Sequence, residues 1–92
     1  MTARNDTPRP RLARGVRLQA DPARGGHVLL APERVVAANA SAVAILELCD
    51  GSRSTDAITD ELAARYGADR ERIAADVRTV LADLAAKRLI ER

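Results

Sequence analysis

The sequence predicts an α+β domain of winged-helix-like order: a three-stranded antiparallel N-terminal sheet followed by three helices. Three observations carry this reading. Between Gly15 and Ala38, short apolar runs compatible with a strand period of two are separated by turn-forming residues. From Asn39 onward the apolar residues recur instead at a helical spacing of about 3.6. Short links containing Gly51 and Gly67 divide that helical part into three segments.

Residues Met1–Arg11 hold two prolines and three arginines and show no apolar periodicity. Such a segment buries too little surface to offset its ordering entropy. Residues 1–11 are therefore expected to form a flexible arm and residues 12–92 the domain. Val16, Leu18 and Ala20 then share one face of a first strand, with Arg17 and Gln19 on the other. Asp21-Pro22-Ala23-Arg24-Gly25-Gly26 is dense in turn formers and predicts a hairpin into a return strand from His27 to Leu30. Ala31-Pro32-Glu33 turns the chain again into a third strand, Arg34–Ala38. Because consecutive strand residues point to opposite sides, Val35, Val36, Ala37 and Ala38 make that strand apolar on both faces. One face meets the protein's own core, and the other calls for a second cover, which in so small a chain is expected to come from a partner.

Asn39 or Ser41 supplies the oxygen that caps the first helix, on which Ala42, Ile45, Leu46 and Cys49 share a face, and Gly51 suits its closure. Thr55 is read as the cap of a second helix, Asp56–Tyr66, in which Ile58, Leu62 and Tyr66 are spaced by four and Gly67 ends the run. Asp69 begins a third and longest helix, roughly Arg70–Lys87, and Leu89 and Ile90 are expected to plug the core as a short apolar tail. On that last helix Ile73, Val77, Val80 and Leu84 cluster within about 60°, and Ala74, Leu81 and Ala85 widen the apolar arc to roughly 140°. The surplus shoulder, edged by Arg78, is expected either to form one wall of a groove or to pack beneath the sheet.

Composition narrows the function. With 92 residues, no Phe or Trp and Tyr66 as the lone aromatic residue, the chain supports one modest aliphatic core and no walled-off deep active site. Residues 1–34 carry 7 basic and 3 acidic residues, a charge of +4, whereas residues 35–92 carry 8 and 10, a charge of −2. A lone cysteine excludes an internal disulfide, and no run resembles a leader or a membrane span, so a cytoplasmic protein without membrane contact is expected. His27 and Cys49 are the only soft ligands, too few for a metal site, and no cofactor is expected. No nucleophile–base pair and no phosphate loop appears, and the acids sit mainly in first helical turns, where they complement the helix dipole. The expected activity is binding rather than catalysis. A winged-helix nucleic-acid-binding protein is the alternative, but Arg70, Arg72 and Arg78 form no single basic stripe, and Asp76 and Asp83 interrupt the outer face of the last helix.

The residues also carry a family resemblance. Pro10-Arg11-Leu12-Ala13-Arg14-Gly15-Val16-Arg17-Leu18, Asp21-Pro22-Ala23-Arg24-Gly25, Leu29-Leu30-Ala31-Pro32-Glu33-Arg34 and Asn39 through Leu48-Cys49-Asp50-Gly51 closely resemble the pyrroloquinoline quinone (PQQ) biosynthesis protein D family. Thr55, Ile58, Leu62, Tyr66, Asp76-Val77, Leu81, Leu84 and Leu89-Ile90 extend the match over nearly the whole chain. The resemblance implies a non-catalytic peptide chaperone of the precursor-peptide recognition type. Such a protein binds the PQQ precursor peptide and presents it to a radical S-adenosylmethionine enzyme that cross-links a glutamate and a tyrosine of that peptide. It further implies that the peptide adds as a strand to the third strand, beside the last helix. Arg34, Val35, Val36 and Ala37 are then expected to form the strand wall and Ala74, Val77, Arg78 and Leu81 the helix wall, with Arg34 and Arg78 available to acidic peptide side chains. An open sheet edge also admits a second copy, so both a monomer and a homodimer are compatible with the sequence.

Overall fold

The computed structural model describes residues 9–91. Its elements run β1 (Arg11–Leu12), β2 (Arg17–Ala20), β3 (His27–Ala31), β4 (Arg34–Ala38), α1 (Ala40–Leu46), α2 (Thr55–Tyr66), α3 (Arg70–Ala86) and β5 (Ile90–Glu91). β2, β3 and β4 form the expected antiparallel sheet, in that order, with Leu18 opposite Leu29 and Leu29 opposite Val36. Asp21 fixes the first hairpin, its carboxylate accepting from the backbone amides of Ala23 and Arg24 at 3.1 and 3.3 Å.

Strand alternation decides which face is covered. Leu18, Leu29 and Val36 stand on the side that packs into the core with the helices, and Leu29 at the centre is 1% exposed. Around it gather Ile45, Ile58, Val77, Leu81, Leu84 and Leu89, all buried, each stabilising the fold by about 1.5–3 kcal/mol. The opposite side of the sheet, with Val28, Leu30, Val35 and Ala37, carries no helix among the described residues.

Several boundaries depart from expectation. Pro10 and Arg11 belong to the fold rather than to an arm: Pro10 is fully buried, and Arg11–Leu12 pairs antiparallel with Ile90–Glu91. The Arg11 guanidinium also donates to the Glu91 carboxylate at 3.1 Å. The rest of the expected arm, residues 1–8, lies outside the described residues. α1 closes at Leu46, earlier than Gly51 suggested, because the amides of Leu48 and Cys49 fold back onto the carbonyls of Ile45 and Leu46 and turn the chain toward a bridge between Asp50 and Arg11. Gly51, with φ +82°, serves that corner instead, its amide donating to the Pro10 carbonyl at 3.1 Å. Asn39 caps α1, its side chain accepting from the Ala42 amide at 2.8 Å. Ser54, not Thr55, caps α2, accepting from the Ala57 amide at 3.1 Å, and Gly67 closes it in the left-handed conformation. Tyr66 ends that helix 59% exposed, outside the stripe of Ile58 and Leu62. Asp69 stands at the start of α3 without a side-chain capping bond.

Leu89 and Ile90 plug the core as expected, at 0% and 4% exposure, and Ile90 also opens the short strand β5. The device that steers them there is a Schellman turn: the Leu89 amide donates to Leu84 and the Arg88 amide to Ala85, both at 2.9 Å. Arg88 occupies the left-handed position at φ +62°, where glycine is ordinarily found. We expect Arg88→Gly to raise stability by about 0.5–1 kcal/mol, read as a higher urea midpoint at unchanged slope; a fall in the midpoint would contradict the strain assigned to Arg88.

Candidate functional site

Among the described residues the strand order leaves one long side of β4 unpaired, so every second residue from Arg34 to Ala38 offers its backbone donor and acceptor outward. Side chains alternate across it. Val36 and Ala38 face inward and rest half-buried against the core, whereas Val35 and Ala37 face out, Val35 being 65% exposed. Arg34 lies on the inward side at the start of the strand, and its guanidinium donates to the Lys87 carbonyl just beyond the end of α3. A cation at a helix C-terminus complements the dipole there. Arg34 thus ties β4 to α3, and at least one of its donors is engaged within the protein.

Past the C-terminal end of β4 an apolar cavity of about 280 Å³ opens between α1, the end of α2 and the first half of α3. Ala40, Ala44, Ile45, Leu62, Ile73 and Val77 line it, and Tyr66, Ser41 and Asp76 supply its polar groups. Of the helix residues singled out from the sequence, only Val77 lies in this lining. Leu81 is buried in the core at 1% exposure. At 100° per residue Ala74 and Arg78 stand roughly 100° and 140° around α3 from Ile73, on the flank turned away from the cavity. Ala40, Tyr66, Ile73 and Asp76 line the cavity and were not among the residues the sequence placed at the site. The apolar arc of α3 extends on both sides of Val77, toward Ile73 and Val80 and toward Ala74 and Ala85, and packing alone shows which side borders α1. Tyr66, the lone aromatic residue at a helix end, was the signal available.

The charged groups elsewhere hold the scaffold. Arg70 joins the α2–α3 corner, bonding Asp60 at 2.5 Å with Asp56 at 3.8 Å, and the Asp60 hydrogen bond pushes its pKa up. Asp50 is held below the usual carboxylate range, first by the Ser52 hydroxyl, then by the Ser52 amide, with a smaller contribution from Arg53. On the outside of α3, Lys87 pairs with Asp83 at 3.0 Å, and exposed Arg72 and Arg78 alternate with Asp76, so no continuous cationic stripe faces a nucleic acid. Among the described residues no three of His, Cys, Asp and Glu come together to hold a metal ion. Cys49 is buried, its thiol donating to the Ile45 carbonyl at 3.2 Å, and burial, with the Asp50 charge beside it, pushes its pKa up to about 11.

The model of the family described as coenzyme PQQ synthesis protein D (PqqD) matches residues 26–90. A "PqqA binding protein" of Rhizobium meliloti (strain 1021) is 49% identical over 81 residues, covering 88% of this chain and 83% of that protein. A "bifunctional coenzyme PQQ synthesis protein C/D" of Methylorubrum extorquens is 49% identical over 83 residues, 90% of this chain and 22% of that longer protein. The solution NMR structure of the PqqD truncation of Methylobacterium extorquens PqqCD is described as a functional, stand-alone recognition element for ribosomally synthesised, post-translationally modified peptides. It superposes with a TM-score of 0.78 at 49% identity, covering 90% of this chain and 88% of that one.

The state of Cys49 gives a direct check. With its folded pKa near 11 and a reference value of 9.0, the thiol is protonated at neutral pH and its contribution to stability is lost as pH rises from about 9 to about 11. Alkaline thermal melts should fall more steeply for the native chain than for Cys49→Ala, and a disulfide reagent at about pH 8 should label Cys49 only as fast as the chain unfolds. Complete labelling within the mixing time would contradict the buried thiol.

Proposed function

The chain belongs to the coenzyme PQQ synthesis protein D family, and from that membership and the free apolar edge of β4 we propose that it holds the PQQ precursor peptide PqqA as an added strand and presents it to the modifying enzyme. The observation that carries this reading is the unpaired β4 edge with an apolar cavity at its C-terminal end. A peptide paired along Arg34–Ala38 satisfies the outward backbone groups and takes its register from them. Its alternate side chains then divide: one set runs beside Val35 and Ala37, and the other turns inward over Val36 toward the cavity. The helix wall in this arrangement is Ile73, Asp76 and Val77, with Leu81 supporting them from the core.

Magnitudes rank the contributions. Each main-chain bond contributes about 0.5–1.5 kcal/mol net, whereas one apolar side chain filling the cavity contributes about 1.5–3 kcal/mol. Exposed ion pairs add only about 0–1 kcal/mol, so Arg78 tunes at most. Backbone pairing therefore sets register and the apolar anchor sets most of the affinity. The enzyme that receives the peptide is, by the same reading, a radical S-adenosylmethionine enzyme of the pathway. A second copy of the chain would pair through the same β4 edge and compete with the peptide.

An NMR titration of the labelled chain with PqqA tests the proposal: amide shifts are expected at Arg34–Ala38 and Ile73–Val77, with slowed exchange of alternate β4 amides. Absence of any change along β4 would remove strand addition. Ala40→Leu, which puts bulk into the cavity from an exposed helix position, should weaken PqqA binding about tenfold while leaving the melting temperature within about 2 °C. Arg78→Ala should change affinity less than about twofold.

A further inference from the structure

The side of the sheet turned away from the helices is a second surface, separate from the edge and the cavity. Register places Arg17, Leu30 and Val35 in one row across it and Gln19, Val28 and Ala37 in the next. Its centre is aliphatic: Val28 and Leu30 are half-buried, and Val35 and Ala37 are exposed. The β2–β3 hairpin rises beside it, so that Pro22 and Arg24 wall an open hollow of about 620 Å³ whose floor is Val28, Val35 and Ala37. Arg24 lines the hollow and Arg17 stands on the same face in the row of Leu30 and Val35, and neither makes an ion pair among the described residues. The nearby carboxylate, Asp21, already accepts from two backbone amides of its own turn.

We propose that this open sheet face is the docking surface for the enzyme that modifies the bound peptide, through an apolar patch on that enzyme ringed by carboxylates. Charge complementarity names the occupant: an aliphatic centre beside Arg17 and Arg24, which make no ion pair among the described residues, fits an acidic protein surface better than a second copy of itself, whose Arg17 and Arg24 would repel. Geometry explains the choice of face. On the reading that the peptide adds to β4, it widens the sheet from three strands to four, and every second peptide side chain joins Val35 and Ala37 on the open side. An enzyme seated there touches carrier and peptide on one continuous sheet, so it binds the loaded chain more tightly than the empty one, and by linkage the peptide binds more tightly once the enzyme is seated.

The test titrates labelled chain, with and without saturating PqqA, against the purified radical S-adenosylmethionine enzyme of the pathway. Expected are shifts and broadening at Arg17, Val28, Leu30 and Arg24, and an affinity that rises when PqqA is present. The double reversal Arg17→Glu and Arg24→Glu should weaken enzyme binding at least about tenfold at low salt and leave PqqA affinity within about twofold. Val28→Thr, which keeps shape but adds a hydroxyl, should weaken it about threefold. Enzyme binding untouched by the charge reversal in a folded protein, or shifts confined to α2 and α3, would overturn the docking face. Capture of duplex DNA by the same arginines in preference to the enzyme would overturn it too. If PqqA alone produced no change along β4 while the enzyme still shifted Arg17 and Val28, the peptide reading would fail and the docking face would stand.

Discussion

A single aliphatic core governs this domain, and it is large enough to cover only one side of the sheet. Leu29, Ile58, Val77, Leu81 and Leu89 are essentially inaccessible to water, and no Phe or Trp is present to enlarge that cluster. Leucine and valine pack well but bring less area per residue than an aromatic ring. The helices therefore close over Leu18, Leu29 and Val36, and the other side of the sheet is left bare. The proposed binding features are what remains outside that core among the described residues: an unpaired edge, an apolar cavity between α1 and α3, and an uncovered sheet face.

So small a core needs its ends secured, and both termini of the fold are pinned at one corner. Arg11 pairs with Glu91 across 80 residues of sequence and bridges to Asp50, and Gly51 donates to Pro10. Leu48 and Cys49 are buried beneath that corner, which gives the Leu-Cys-Asp-Gly segment its physical meaning: two core residues, a turn-fixing carboxylate and a left-handed glycine. The Leu-Leu-Ala-Pro-Glu-Arg segment has a comparable role, forming the β3–β4 turn and delivering Arg34 to the end of α3. These two stretches, which carry part of the family resemblance, are thus corners that fix the scaffold.

Much of the architecture was legible because local chemistry and global packing agree. The switch of period at Asn39 coincides with a real cap, Gly67 sits where α2 closes, and Arg34–Ala38 forms the strand expected of it. The losses have physical causes. A two-residue strand such as Arg11–Leu12 has no periodicity to detect, and its partner lies at the far end of the chain. The length of α1 depends on the Asp50 bridge, a tertiary contact that no cap signal reports. On α3, alanines on one flank and Ile73 and Val80 on the other widen the apolar arc on both sides, so periodicity alone does not choose between them. The sequence therefore predicted the strand that borders the candidate site, while the flank of α3 that lines the cavity is set by packing.

The bond from Arg34 to the Lys87 carbonyl has a kinetic consequence. It fastens the start of β4 to the far end of α3, so parting the two elements there gives up one hydrogen bond, about 0.5–1.5 kcal/mol net. For a peptide that adds to β4 as proposed, association is expected at the ordinary docking rate, about 10⁵–10⁷ M⁻¹s⁻¹, with differences among peptide variants falling on their residence times. That division would suit the proposed carrier, because the lifetime of the complex can change while the speed of capture stays constant.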